Sequence, residues 1–174
     1  VTAALLVIDV QMGMWAFPGH SVHDGEAVVS RIGGLIARAR KRGAPVFYVQ
    51  HDGGPEDSFH PGKPGFPILP AIAPREDDDV TVKTRCNSFQ GTDLDSKLKA
   101  AGIDHLVVCG MQSEYCVDTA VRAAVERGYN VTLVCDGHTT MDSRAFKAPD
   151  IIAHHNATLG GSFAEIRSAA DVTF

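Results

Sequence analysis

Three reactive side chains lie far apart in the chain yet share one setting. Asp9 follows the apolar run Ala3 to Ile8, Lys83 follows Val80, Thr81 and Val82, and Cys116 stands at the entrance of a stretch with helical spacing. Brought together in one pocket, a cysteine, a carboxylate and an ammonium could do thiol chemistry. They supply a thiol nucleophile, a base to take its proton and a cation to hold the resulting negative charge. Each alone has a plainer reading. Cysteine is among the most buried residue types, an Asp or Lys ending a strand is often a solvated rim residue, and Lys83 could merely pair with Asp9. What sets the three apart is their common position at the ends of apolar runs, where charge adds little to a core.

The elements that must hold them can be read from periodicity. Leu106 to Cys109, closed by Gly110, reads as a buried strand, and Val117, Ala120, Val121, Ala124 and Val125 then recur with helical spacing. Cys116 is thereby placed near a helix N-terminus, where unpaired N–H groups and the helix dipole favour a thiolate. Ala3 to Ile8 has the continuous apolar pattern of a strand covered on both faces. Residues 10 to 24 read as a loop, Val28 to Ala39 as a helical stripe stopped at Gly43, and Ala44 to Val49 as a second strand. From His51 to Asp79 the chain is irregular and holds six of the nine prolines, the mark of a lid, a binding loop or an interface. A third strand spans Val80 to Lys83, and Thr92 or Asp93 caps a short helix through Ala101. A fifth strand runs from Asn130 to Cys135, with Asp136, His138 and Thr139 in the loop beyond it. A helix over Arg144 to Leu159, ended before Gly160-Gly161, and a strand around Phe163 to Ile166 complete the chain.

Strand and helix alternate from end to end. The expected fold is one α/β domain over residues 1–174: three α/β/α layers around a Rossmann-like, doubly wound parallel sheet of about six strands in the order 3-2-1-4-5-6. Ligands of such sheets bind beyond the strand carboxyl ends, where the order reverses. Neighbouring strands lie about 4.8 Å apart, so Asp9 adjoins the turn carrying Cys116, and Lys83 reaches across from two strands away.

Composition narrows the function further. With 44% hydrophobic and only 7% aromatic residues, the core is mainly aliphatic. The net charge of −5 and the lack of any Lys/Arg cluster argue against nucleic acid or a membrane surface as partner. No apolar run reaches transmembrane length, and VTAALLVIDV lacks a basic leader and runs into Asp9, so it reads as a strand and a cytoplasmic location is expected. Cys86, Cys109, Cys116 and Cys135 show no paired spacing and are expected as free thiols, all but Cys116 in the core. The cluster Phe66, Pro67, Ile68 and Leu69 would be costly to expose, which points to a homo-oligomer, dimer or tetramer.

Several stretches, taken in order, resemble the isochorismatase-like cysteine hydrolases, a family that includes nicotinamidases, N-carbamoylsarcosine amidohydrolases and ureidoacrylate hydrolases. They are ALLVIDVQ (Ala4 to Gln11), VFYVQHDGG (Val46 to Gly54), VTVKTRCNSFQGTDLDSKL (Val80 to Leu98), GIDHLVVCGMQSEYCVDTAVRAAVERGYNVTLVCDGHTT (Gly102 to Thr140) and IIAHHNATL (Ile151 to Leu159). The resemblance implies a catalytic triad of Asp9, Lys83 and Cys116. It also implies a non-proline cis peptide before Gln112, with the backbone N–H groups of Gln112 and Cys116 as an oxyanion hole.

The departures narrow the substrate. Nicotinamidases of the family carry an Asp-x-His pair and a further His as metal ligands, whereas this chain has Gln50-His51-Asp52-Gly53-Gly54 and then His60, so neither metal nor other cofactor is expected. Isochorismatases proper lack the cysteine, and Cys116 points instead to cleavage of a C–N bond in a small amide or an N-carbamoyl or ureido compound through a thioester. Substrate-pocket candidates are Gln11, Trp15, His51, Phe89 and Tyr115, of which Trp15 and Phe89 fit core or lid packing equally well. Two alternatives stand beside this reading: a metal-dependent nicotinamidase using His51 or His60, and a binding protein or redox sensor with Cys116 as its oxidisable thiol. His154 and His155, adjacent on a helix, read as structural, and His138 as a loop histidine or the support of another group.

Overall fold

Six strands, β1 (Ala3–Ile8), β2 (Val46–His51), β3 (Asp79–Lys83), β4 (His105–Met111), β5 (Asn130–Thr139) and β6 (Glu165–Arg167), form one sheet in the order β3-β2-β1-β4-β5-β6. All neighbouring pairs are parallel. The structure is a computed structural model and describes residues 2–174. Four helices cover the sheet: α1 (Gly25–Lys41), α2 (Leu94–Ala100), α3 (Asp118–Glu126) and α4 (Ala148–Ser162). Side chains of β1 alternate between the two faces. Leu5 and Val7 pack with Val28, Ile32, Leu35 and Ile36 of α1, while Ala4, Leu6 and Ile8 pack with Leu94 and Leu98 of α2 and Ala120, Val121 and Ala124 of α3. The fold is thus the expected doubly wound α/β/α sandwich, with order reversing between β1 and β4.

Four boundaries depart from the sequence reading, each for a local reason. Gly110 does not close β4, which continues through Met111. A Cβ on Gly110 would lie 2.1 Å from the Ile8 carbonyl oxygen, and its φ is +124°, so this glycine serves a close strand-to-strand approach. Strand β5 does not stop at Cys135. Leu133 pairs with Val108 and His138 with Gly110, so Val134 to Gly137 bulge opposite Cys109 and the strand resumes through Thr139. Helix α4 begins at Ala148, with a proline in its first turn, and runs through Gly160-Gly161. A Cβ on Gly160 would meet Ile166 Cγ1 of β6 at 2.6 Å, so this glycine too marks close packing. Finally, β2 starts at Val46 and extends to His51, which pairs with Lys83 on β3.

The irregular segment after β2 is tied down across the carboxyl ends of β1 and β2. Met12 N–H donates to Pro67 O, Gly13 N–H to Gly65 O and Leu69 N–H to Val10 O. A short 3₁₀ turn at Met12–Trp15 occupies part of the stretch expected to be loop. Ile68 is buried, and Phe66 and Leu69 are partly buried within the chain itself, so this cluster does not need a partner subunit to cover it.

Candidate active site

Asp9 follows β1, Lys83 ends β3, and Cys116 lies in a π-helical turn, Ser113–Val117, between β4 and α3. Such turns recur at functional sites. Asp9 itself has φ +51°, a left-handed conformation that is uncommon outside glycine and concentrated where function demands it. Its N–H donates to Val49 O at 2.9 Å, which fixes the turn off the sheet.

The three side chains meet beneath the surface. Lys83 Nζ lies 2.6 Å from Asp9 Oδ2 and 3.2 Å from Cys116 Sγ, and neither Lys83 nor Asp9 has exposed side-chain surface. A third neighbour, His51 Nδ1, is 3.4 Å from the same ammonium. Lys83 therefore directs its three hydrogens at a carboxylate, a sulfur and an imidazole nitrogen. Because the ammonium can only donate, His51 Nδ1 is the acceptor and its ring proton sits on Nε2. The other Asp9 oxygen, Oδ1, has no hydrogen-bond partner among the described residues.

Burial dominates the ionisation of this group. It lifts the Asp9 carboxyl above the ordinary carboxylate range despite the opposing charge of Lys83. Burial also works against the Lys83 charge, but the Asp9 carboxylate and Cys116 sulfur together outweigh it and raise the lysine above its usual value. Burial and then the Asp9 charge push the Cys116 thiol well up, with Lys83 opposing. Burial and the neighbouring carboxylate thus oppose what the helix entrance and the Lys83 ammonium do for the sulfur. His51 is held neutral, its pKa lowered by burial and by the Lys83 charge.

Of the pocket candidates, His51 has a polar contact with the three side chains, through Lys83 Nζ. Gln11 is not a pocket wall: fully buried, it donates from Nε2 to His51 O at 3.0 Å and Phe66 O at 2.8 Å and accepts from His51 N–H at 2.8 Å. Its amide is spent clamping the loop to β2. Phe89 is also core: it stacks on Tyr129 with Arg127 over its ring. Trp15 is partly exposed, with its indole nitrogen against Gly25 at the start of α1. Tyr115 points away from the core into a cavity of about 490 Å³ lined with Phe146, Ile151, Glu114 and Asp150. Cys109 is buried as expected, but Cys86 is exposed and Cys135 partly so; all four cysteines are free.

The peptide between Met111 and Gln112 is cis. Gln112 O accepts from the N–H groups of Tyr115 and Val117, anchoring the turn that carries the cysteine. Among the described residues no group of three or more His, Cys, Asp or Glu side chains is placed to hold a metal ion. The Lys83 ammonium stands where a cation on His51 Nδ1 would sit, and Asp52 and His60 pair with each other at 2.8 Å. No described helix is long and apolar enough to cross a membrane.

A doubly wound sheet that buries a Cys–Lys–Asp cluster at its point of strand reversal places a thiol, a base and a cation where such sheets bind their ligands. Residues 3–167 match the Isochorismatase domain, and the chain belongs to the isochorismatase family of hydrolases. It is similar to the uncharacterized isochorismatase family protein YddQ of Bacillus subtilis (strain 168), with 36% identity over 97% of each chain. It is 40% identical to a streptothricin hydrolase of Streptomyces noursei over 85% of this chain, though that covers only 52% of the relative. The ureidoacrylate amidohydrolase RutB of Methylobacterium radiotolerans is 28% identical, over 78% of this chain and 66% of that one. Among solved structures, an isochorismatase (PP1826) from Pseudomonas putida KT2440 superposes with a TM-score of 0.92 at 31% identity, covering 98% of this chain and 90% of the other.

Proposed function

We propose that the protein is a cysteine hydrolase that opens a C–N bond of a small amide or N-carbamoyl or ureido compound through a thioester on Cys116. The observation that carries this reading is the buried ammonium of Lys83, 2.6 Å from a carboxylate and 3.2 Å from a thiol. In the proposed cycle, Asp9 takes the thiol proton while Lys83 holds the sulfur's new charge. The sulfur attacks the carbonyl carbon, and the N–H groups of Gln112 and Cys116 receive the oxyanion. The C–N bond breaks as Asp9 returns the proton to the departing nitrogen. Water then adds to the thioester with Asp9 as base, the C–S bond breaks, and the thiol recovers its proton. Support for a C–N target comes from relatives whose names are amidohydrolase and streptothricin hydrolase. A reducing compartment such as the cytoplasm suits a free-thiol nucleophile.

The test is a screen of small amides and ureido acids for release of ammonia or amine, run beside Cys116→Ala and after exhaustive chelation. Release should fall about a thousand-fold or more in the variant and persist in the chelated enzyme. Release that survives Cys116→Ala would end the thioester reading. Loss on chelation with recovery on adding zinc, iron or manganese would favour the metal-dependent nicotinamidase instead.

A further inference from the structure

One buried polar chain near the site takes no part in the proposed chemistry. Ser113 and His138 are almost wholly buried. Ser113 Oγ lies 2.7 Å from His138 Nδ1, and His138 Nε2 lies 2.9 Å from Asn156 Oδ1. Asn156 Nδ2 in turn donates to Cys135 O at 3.1 Å. The direction of every bond is fixed by the last one. With the Asn156 amide nitrogen donating to a carbonyl, its oxygen faces the imidazole, so Nε2 carries the ring proton. Burial lowers the His138 pKa and keeps the ring neutral, so Nδ1 is an acceptor and the Ser113 hydroxyl donates to it. The charged or titratable neighbours of the ring, Asp136 and His155, do not alter that direction.

The chain links three elements to the turn that bears the nucleophile. Asn156 is on α4, His138 follows the β5 bulge, and Ser113 opens the π-helical turn, whose carbonyl also accepts the Asp118 N–H. We infer that Ser113, His138 and Asn156 are positioning residues, a hydrogen-bonded strut that holds the Ser113–Val117 turn so that Cys116 Sγ stays within reach of Lys83. The inference deepens the proposed thiol chemistry and rests on that site. A lone serine-to-imidazole bond would be ordinary core satisfaction. Here the bonds run one way through a strand bulge that the sheet ladder alone does not require, and they end on the turn whose placement sets the sulfur-to-ammonium distance.

The test reads Cys116 directly and needs no substrate. Alkylation by iodoacetamide is followed against pH, with peptide mapping to separate Cys116 from Cys86, Cys109 and Cys135, and ¹⁵N spectra report the His138 tautomer. Ser113→Ala and His138→Gln remove the Ser113 bond. Ser113→Thr retains the hydroxyl, and His138→Asn places an amide oxygen near the Nδ1 position. Sulfur that drifts from the ammonium loses its charge partner, so the first pair should move the midpoint of the Cys116 profile upward by about one pH unit, a ten-fold change at a fixed lower pH. Ser113→Thr should stay within about two-fold of the parent. His138→Asn, which keeps the Ser113 bond but breaks the Asn156 one, should shift the profile in the same direction as the first pair, and in the parent His138 should show protonated Nε2 with bare Nδ1. An unchanged profile in folded Ser113→Ala, or a His138 protonated on Nδ1, would overturn the strut. Should His138→Gln fail to fold, the Ser113→Ala and Ser113→Thr comparison decides alone. Absence of any Cys116-dependent hydrolysis would remove the proposed function and leave this result standing.

Discussion

A lysine with no exposed side-chain surface is tolerated only if its hydrogens find acceptors, and Lys83 has three around it. The arrangement has a consequence for proton transfer. With thiol and carboxylate, Asp9, Lys83 and Cys116 sum to zero charge; with thiolate and carboxylic acid they sum to zero again. Moving the proton from Cys116 to Asp9 therefore creates no net charge in a dry site, and the raised Asp9 pKa makes it the better base. Resting alkylation should follow exposure instead, with Cys86 ahead of Cys116. The buried histidines give the fold a pH dependence. His51, His105 and His138 have folded pKa values below the ordinary 6.5, so below that value the unfolded chain binds more protons. Their stabilisation is complete above about pH 6.5 and is lost as pH falls through the folded values. Tm should drop as pH falls below about 6.5, and His138→Asn should show a shallower drop. Asp9 acts in the opposite sense but is common to both proteins and cancels in the difference. Parallel Tm-against-pH curves would contradict the neutral buried imidazole.

At the scale of elements, the placement of the triad was legible because strand ends announce themselves. Asp9 interrupts a run of apolar residues, Lys83 ends an alternating one, and Cys116 precedes a helical stripe. Three features were hidden. The bulge in β5 lies under Asp136-Gly137, a pair whose composition reads as a turn, and no local signal tells a bulge from a turn. The glycines at 160 and 161 read as a helix end, because the close approach of Ile166 that accounts for Gly160 is a tertiary fact. Gln11 looked like a pocket wall because its type and position fit one; only the backbone partners at His51 and Phe66 reveal a clamp. That clamp yields a prediction. Gln11→Ala takes the Gln11 amide from the His51 N–H and carbonyl, while the Phe66 carbonyl keeps Gln50 Nε2 as a donor, at a cost of roughly 1–3 kcal/mol. The segment 52–69 should then be cut sooner by protease in the native state, and the urea midpoint should fall. An unaltered midpoint and cleavage pattern would show that the loop is held by its backbone bonds alone.

For the whole molecule, the distribution of exposed apolar side chains matters more than their number. Among the described residues Met12, Trp15, Phe17, Tyr115 and Phe146 are exposed beyond the carboxyl ends of β1, β4 or β5, and Val82 is exposed within β3. The segments that bear them are joined: His23 N–H donates to Thr140 O at 2.9 Å, and Thr139 Oγ1 to His23 O at 2.6 Å. By contrast Phe66, Ile68 and Leu69, the cluster that suggested an oligomer from sequence, are largely covered by their own chain. The case for self-association therefore moves from the proline-rich loop to the rim. Burying a large apolar side chain is worth about 1.5–3 kcal/mol, so several on one rim offset much of the cost of association. Two copies meeting through this rim would also narrow the approach to Cys116. Light scattering after size exclusion should give a dimer or higher multiple at micromolar concentration, and the double change Phe17→Ser with Phe146→Ser should shift it toward monomer without loss of helical content, since both side chains are exposed and neither lies in a helix. A wild-type monomer across that range would remove the rim as an interface, as would a double variant whose mass stays multimeric.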